Sequence, residues 1–184
     1  SEICNIEVLT FNLLKDRVWE EEFKKDFHAM QFGKNLWICP SWEEQTQLPT
    51  DAIVINMNPG LAFGTGNHQT TDLCLQYLDA NPPKNLNVID FGCGAGVLAI
   101  AAAKLGAKSV LAIDNDLQAV HATRENVIHN KCENIITTMH SEEESDFGKC
   151  DVLVANILTN PLIELVSLFA KLVRTNGSLV LSGI

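Results

Sequence analysis

The run Val88-Ile-Asp-Phe-Gly-Cys-Gly-Ala-Gly96 limits what this chain can fold into more than any other stretch. It is apolar, meets an acid at Asp90, and then sets Gly92, Gly94 and Gly96 at alternate positions. Directly after it comes Val-Leu-Ala-Ile-Ala-Ala-Ala-Lys-Leu, a helix-forming segment with a glycine stop at Gly106. Strand, tight turn and helix start in that order describe the opening of a nucleotide-binding βαβ unit. Glycines in the turn let a ligand approach the backbone, because no Cβ intervenes and positive φ costs little.

Asp90 adds a carboxylate beside that opening. A second apolar run, Ser109-Val-Leu-Ala-Ile-Asp114, also ends in an acid, and an acid in that place holds the hydroxyls of a ribose. The competing reading is an ordinary α/β turn whose Asp90 merely caps the helix. Gly94-Ala-Gly96-Val-Leu-Ala99 satisfies the dinucleotide pattern G-x-G-x-x-A, so NAD is one candidate ligand. A pyrophosphate, however, wants a helix N-terminus free of negative charge. S-adenosylmethionine carries an ammonium, a sulfonium and a ribose diol, which suit Asp90 at the methionine end and Asp114 at the sugar.

With 184 residues, 46% of them hydrophobic, the chain can bury one sizeable core. A net charge of −10 argues against a protein that grips phosphate backbones, and it is compatible with a basic protein substrate. The cysteines at 4, 39, 74, 93, 132 and 150 form no C-x-x-C pair and show no zinc spacing. They are expected to be reduced, mostly buried thiols of a cytoplasmic protein, with no metal site. No apolar run approaches a membrane span, and no signal peptide is visible.

Residues 1–49 are expected to form an arm packed on the main body, and residues 50–184 the ligand-binding domain. In the arm, 3–11 alternates like a strand, Trp19, Phe23 and Phe27 share a helix face, and 36–39 reads as a short strand. A strand at 53–57 leads into Asn58-Pro-Gly-Leu-Ala-Phe-Gly-Thr-Gly-Asn-His-Gln-Thr-Thr71, a glycine-rich loop with apolar residues embedded in it, as a ligand-covering loop would have. Thr70 or Thr71 is expected to cap a helix over 72–79 that faces Leu73, Cys74, Tyr77 and Leu78 to the core.

From residue 85 onward, strands at 86–91, 109–114, 134–139, 151–156 and 178–182 alternate with helices at 96–105, 116–129 and from Pro161. The last helix carries an apolar stripe of Leu162, Leu165, Val166, Phe169 and Leu172, and Asn176-Gly177 reads as a turn into the fifth strand. Such alternation predicts an α/β fold with a doubly wound, mostly parallel sheet.

Three motifs in order, Pro59-Gly-Leu-Ala-Phe-Gly-Thr-Gly-x-His-x-Thr-Thr71, Val88-Ile-Asp-Phe-Gly-Cys-Gly-x-Gly96 and Val154-Ala-Asn-Ile-Leu158, resemble the bacterial ribosomal protein L11 methyltransferases. The arm is similar as well, in Trp19, Phe27-His28-x-Met30 and Leu36-Trp-Ile-Cys-Pro-Ser-Trp42. The resemblance implies a Rossmann-like class I fold and S-adenosylmethionine bound by Thr71, Gly92, Asp114 and Asn156, with Phe63 and Thr65 in the covering loop. It implies ribosomal protein L11 as the substrate, with no direct nucleic-acid or membrane partner. His68 is expected to cap or pack rather than catalyse. Gln69 stands where the family commonly has Pro. The family's catalytic domain has two further strands after the fifth and a separate substrate-recognising domain, so the chain reads as a linker plus most of a catalytic domain that lacks its last strands.

Methyl transfer from a sulfonium is an in-line displacement, for which positioning supplies much of the rate. Asn156, with the backbone carbonyls of Ile157 and Leu158, is expected to line the slot through which a lysine or α-amino nitrogen arrives. Nucleic-acid and glutamine N-methyltransferases typically show Asn-Pro-Pro and an aromatic there, whereas Asn156-Ile-Leu-Thr suits a flexible amine. The alternatives are a non-catalytic S-adenosylmethionine-binding module and an NAD-dependent oxidoreductase.

Overall fold

The computed structural model describes residues 28–40, 48–57, 69–143 and 146–183. The expected strand at 3–11, the Trp19, Phe23 and Phe27 face, and Phe63, Thr65 and His68 of the glycine-rich loop lie outside the described residues.

β1 (Met30–Phe32), β2 (Leu36–Pro40) and β3 (Ile53–Met57) form a small sheet in that order, β1 antiparallel to β2 and β2 parallel to β3. α1 (Gln69–Ala80) follows. Then β4 (Asn87–Phe91), α2 (Val97–Lys104), β5 (Ser109–Asp114), α3 (Leu117–His129), β6 (Ile136–His140), β7 (Cys150–Asn156), α4 (Thr159–Leu172) and β8 (Val173–Ser182) alternate. The five later strands pair in parallel in the order β6-β5-β4-β7-β8. After β4 the chain winds outward through β5 and β6, then crosses to the other side for β7 and β8. That reversal brings the carboxyl ends of β4 and β7 together at a topological switch point, the place where open α/β sheets bind ligands.

Strand alternation sorts the core into two layers. Val88, Val152 and Val154 pack with α1 and α2 residues such as Leu75, Leu78 and Ile100, while Ile89, Phe91, Leu153 and Ala155 pack against α4. On the second face the Phe91 and Phe169 rings meet edge-on at 5.3 Å. Residues 97–103 of α2 are all buried, so this helix is a central element rather than an amphipathic one. Its run of alanines lets it lie close to the sheet.

Three expectations need correction. Thr71 sits inside α1 rather than at its cap, and the buried face of α1 uses Cys74, Leu75 and Leu78, with Leu73 62% exposed. Val166 is 58% exposed, because α4 covers the sheet with only a narrow stripe of Leu162, Phe169 and Leu172. Asn176-Gly177 does not begin a new strand: β8 already pairs at Val173 with Cys150, then bulges and resumes at Ser178 opposite Val152. Asn176 takes positive φ in that bulge, and a Cβ on Gly177 would press on the Asp151 carbonyl at 2.8 Å. The bulge lets Arg174 pair with Asp151 at 2.7 Å, while Asp151 also accepts the Asn87 amide. Among the described residues no helix is long and apolar enough to cross a membrane.

Candidate cofactor site at the carboxyl edge of the sheet

The glycine turn is built first by its own backbone. Gly92, Gly94 and Gly96 all have positive φ, at 78°, 56° and 82°. The Gly92 and Cys93 amides both donate to the Ile113 carbonyl, at 2.8 and 3.0 Å, which ties the turn to the end of β5. A Cβ on Gly92 would overlap Cγ2 of Ile157, and one on Gly96 would stand 2.8 Å from Cγ2 of Thr123. Both positions therefore require glycine twice over, by dihedral and by space.

The two acids read from the sequence end up with different tasks. Asp90 is 1% exposed, and its Oδ2 accepts the Ala99 amide at 2.9 Å. It thus caps α2 from a neighbouring strand, in place of Gly96, which has no side chain to do so. Its other oxygen, Oδ1, is buried and has no hydrogen-bond partner among the described residues. Burial pushes the carboxyl up to about 7; the Ala99 amide works against that, and the negative charge of Asp114 adds to it.

Asp114 accepts the Gly94 amide on Oδ2 at 2.8 Å and the Asp116 amide on Oδ1 at 3.0 Å. It braces the turn as well as marking the end of β5. Each of its oxygens keeps a second lone pair with which to meet a hydroxyl.

Across the switch point, Asn156 at the end of β7 donates from Nδ2 to the Thr71 hydroxyl at 3.0 Å. The structure therefore joins two residues that are 85 positions apart in sequence. Ile157 lies against the glycine turn through its side chain and against Gly183 through its carbonyl. The Leu158 carbonyl accepts the Leu162 amide, the first bond of α4, and the Leu158 side chain is 75% exposed.

Sequence reasoning missed what α3 contributes. The Thr123 hydroxyl donates to the Gly94 carbonyl at 2.8 Å, and Asn126 Nδ2 donates to the Ala95 carbonyl at 2.9 Å. The signal was available: residues 119, 120, 123, 126, 127 and 130 form one buried stripe, and Asn126 and Asn130 interrupt it with amides. Buried amides on an otherwise apolar stripe need partners. Asp116 caps α3, accepting the Gln118 amide.

Two thiols stand near Asp90. Burial and the Asp90 charge raise Cys74 to about 11, against the hydrogen bond from Ser182, and the same two causes raise Cys93 still further. Both shifts favour the thiol over the more nucleophilic thiolate. Among the described residues, no three His, Cys, Asp or Glu side chains converge to hold a metal ion.

A parallel sheet wound in this order, with a glycine turn after its central strand, an acid ending the next and a polar residue ending β7, defines a Rossmann-like class I methyltransferase domain. The comparisons then give the family. A sequence model described as "Ribosomal protein L11 methyltransferase (PrmA)" matches residues 3–184, and this chain belongs to that family. The ribosomal protein L11 methyltransferase of Haemophilus influenzae (strain PittEE) is 51% identical over 171 residues, which cover 93% of this chain and 57% of that protein. That of Shewanella baltica (strain OS185) is 50% identical over 171 residues, covering 93% and 58%. The chain thus spans little more than half the length of these relatives. The crystal structure of a ribosomal protein L11 methylase from Lactobacillus delbrueckii subsp. bulgaricus superimposes with a TM-score of 0.75 at 37% identity, covering 86% of this chain and 81% of that one.

Proposed function

We propose that this chain is the S-adenosylmethionine-binding part of a cytoplasmic protein N-methyltransferase that modifies lysine and α-amino groups of ribosomal protein L11. Family membership supports the reaction class. The single observation that carries the choice of cofactor is the buried Oδ1 of Asp90 beside the glycine turn, which has no partner among the described residues. An orphaned carboxylate oxygen in that place calls for a cationic donor, and the ammonium of S-adenosylmethionine supplies one. The NAD reading is disfavoured by the same acid, because the third amide of α2 already serves Asp90 and a pyrophosphate would meet its charge.

When bound, S-adenosylmethionine supplies an electrophilic methyl group on a sulfonium. The residues that would hold it are Asp90 at the ammonium, Asp114 at the ribose, Gly92, Gly94 and Gly96 along the backbone, and Thr71 with Asn156 on the far side. Phe63 and Thr65 remain candidates for covering it.

With Nδ2 of Asn156 committed to Thr71, its amide oxygen is the acceptor available to hold an amine N–H and aim the nitrogen lone pair. The carbonyl of Ile157 is a second acceptor at that edge. Leu158 contributes chiefly its exposed side chain, because its carbonyl already serves α4. No described side chain is placed as a strong base, so the arriving amine is taken as already neutral. Orientation and exclusion of water then supply the acceleration.

Calorimetry of the full-length protein with S-adenosylmethionine and with NAD tests the cofactor, and transfer of labelled methyl to purified ribosomal protein L11 tests the reaction. Binding of NAD but not S-adenosylmethionine would defeat the proposal. Binding without transfer would leave only a cofactor-binding module.

A further inference from the structure

We propose that Asn126 and Asn130 are positioning residues that lock strand β3 of the small sheet to the glycine turn, so that cofactor affinity depends on how β3 is seated. The inference rests on the cofactor reading above.

Asn130 treats Asn56 as a neighbouring strand would. Its Oδ1 accepts the Asn56 amide at 2.9 Å and its Nδ2 donates to the Asn56 carbonyl at 2.7 Å. β2 occupies one edge of β3, and the Asn130 amide serves the other for this one residue. The same Nδ2 donates to the Asn126 carbonyl at 2.8 Å, and the Asn126 side chain holds Ala95 of the turn. A continuous hydrogen-bonded path therefore runs from Asn56 through Asn130 and Asn126 to the turn. Thr123 makes a parallel tie to Gly94 one helical turn earlier.

The backbone dihedrals at the end of α3 do not themselves call for asparagine. Asn130 has φ −88° and ψ 0°, a right-handed conformation open to any residue, so left-handed capping does not explain it. Both amides are only 6% exposed, and an apolar side chain in either place would take from the Asn56 amide and carbonyl, or from the Ala95 carbonyl, a partner that it now has. What the amides provide is connection between two sheets. The chain leaving β3 enters the glycine-rich segment of residues 58–68.

The test uses the full-length protein, with the thioether product S-adenosylhomocysteine as probe. Amide exchange over residues 53–57 is followed with and without the probe, alongside calorimetry and melting for wild type, Asn130→Ala, Asn126→Ala and Asp79→Ala. Asp79 is the control for a purely structural tie: it accepts the Lys34 and Asn35 amides and so holds the turn between β1 and β2 to α1. The probe should slow exchange at 53–57 in the wild type. Each asparagine variant should lose that protection and bind the probe about tenfold more weakly, with the maximal transfer rate at saturating donor kept within about twofold. Asp79→Ala should lower the melting temperature with affinity unchanged. The proposal is overturned if Asn130→Ala behaves like Asp79→Ala, or if wild-type exchange ignores the probe, a measurement that needs no variant to fold. A wild type that does not bind the probe fails the cofactor reading and takes this inference with it. Normal wild-type binding with unaltered variants sinks this inference alone.

Discussion

The two halves of the carboxyl edge are built to different standards. On the β4 and β5 side, the turn is held by Ile113, Asp114, Thr123 and Asn126, and both acids are buried. On the β7 and β8 side, Asn156 is half-buried and among the described residues has one side-chain tie, to Thr71, while Leu158 next to it stands exposed. On the proposed function, the difference separates binding from chemistry. A cofactor of fixed shape rewards a site assembled in advance, since no ordering cost remains at binding. A flexible amine needs one well-aimed acceptor and room to arrive.

Four changes would break or sharpen that contrast. The largest effect is expected from Gly92→Ala, which sets a Cβ into Ile157 and a side chain at φ 78°, so it strikes both halves. The strain and overpacking together should cost roughly 2–5 kcal/mol and abolish cofactor binding, read by melting and calorimetry. Unchanged binding would show that the turn is not the cofactor's seat.

Asp90→Asn should weaken S-adenosylmethionine binding roughly tenfold to a hundredfold at pH 8 without lowering the melting temperature of the unliganded protein. The sign follows from the carboxyl being raised from 3.8 to about 7. The folded chain holds this proton more tightly than the unfolded one. Its contribution to stability is therefore complete below pH 4 and is lost as pH rises through 7. Affinity for the cationic donor should run the other way and rise across the same window as Asp90 ionises. Asn at this position should flatten both profiles, and pH titrations of melting and of binding would show it.

Asn156→Ala should weaken cofactor binding several-fold, because it removes one holding group and frees the Thr71 hydroxyl, and should reduce the transfer rate at saturating donor by about a hundredfold, a loss expected of an orienting group. Full turnover would place the amine's acceptor elsewhere. The smallest effect belongs to Ile163→Ser on the exposed face of α4, within about 0.5 kcal/mol in stability and unchanged in cofactor binding.

Much of the braced half could be read from the sequence, because strand, glycine turn and terminal acid are contiguous there. β4, β5 and β7 emerged nearly to the residue from apolar runs ending in Asp90, Asp114 and Asn156. What stayed hidden was contact at a distance. Asn126 reaches Ala95 across 31 positions and Asn130 reaches Asn56 across 74, and no local pattern reports a side chain bonding to remote backbone. Val166 fitted the helical period yet faces outward, since periodicity gives the direction of a stripe but not its width. Asn176-Gly177 has the composition of a turn and serves a bulge instead, because the same positive φ suits both. Of the two readings offered for Asp90, the capping one is seen in the Ala99 amide on Oδ2, while Oδ1 has no partner among the described residues.

The pairing of β2 with β3 has a practical consequence for anyone dividing this protein. Leu36, Ile38 and Cys39 are buried, and the strand bearing them lies alongside Ile53, Ile55 and Met57 across the place where arm and body would be separated. A shortened chain starting near residue 50 would bare β3 as a sticky ribbon and invite self-association. Any cut meant to keep β3 paired belongs upstream of Met30.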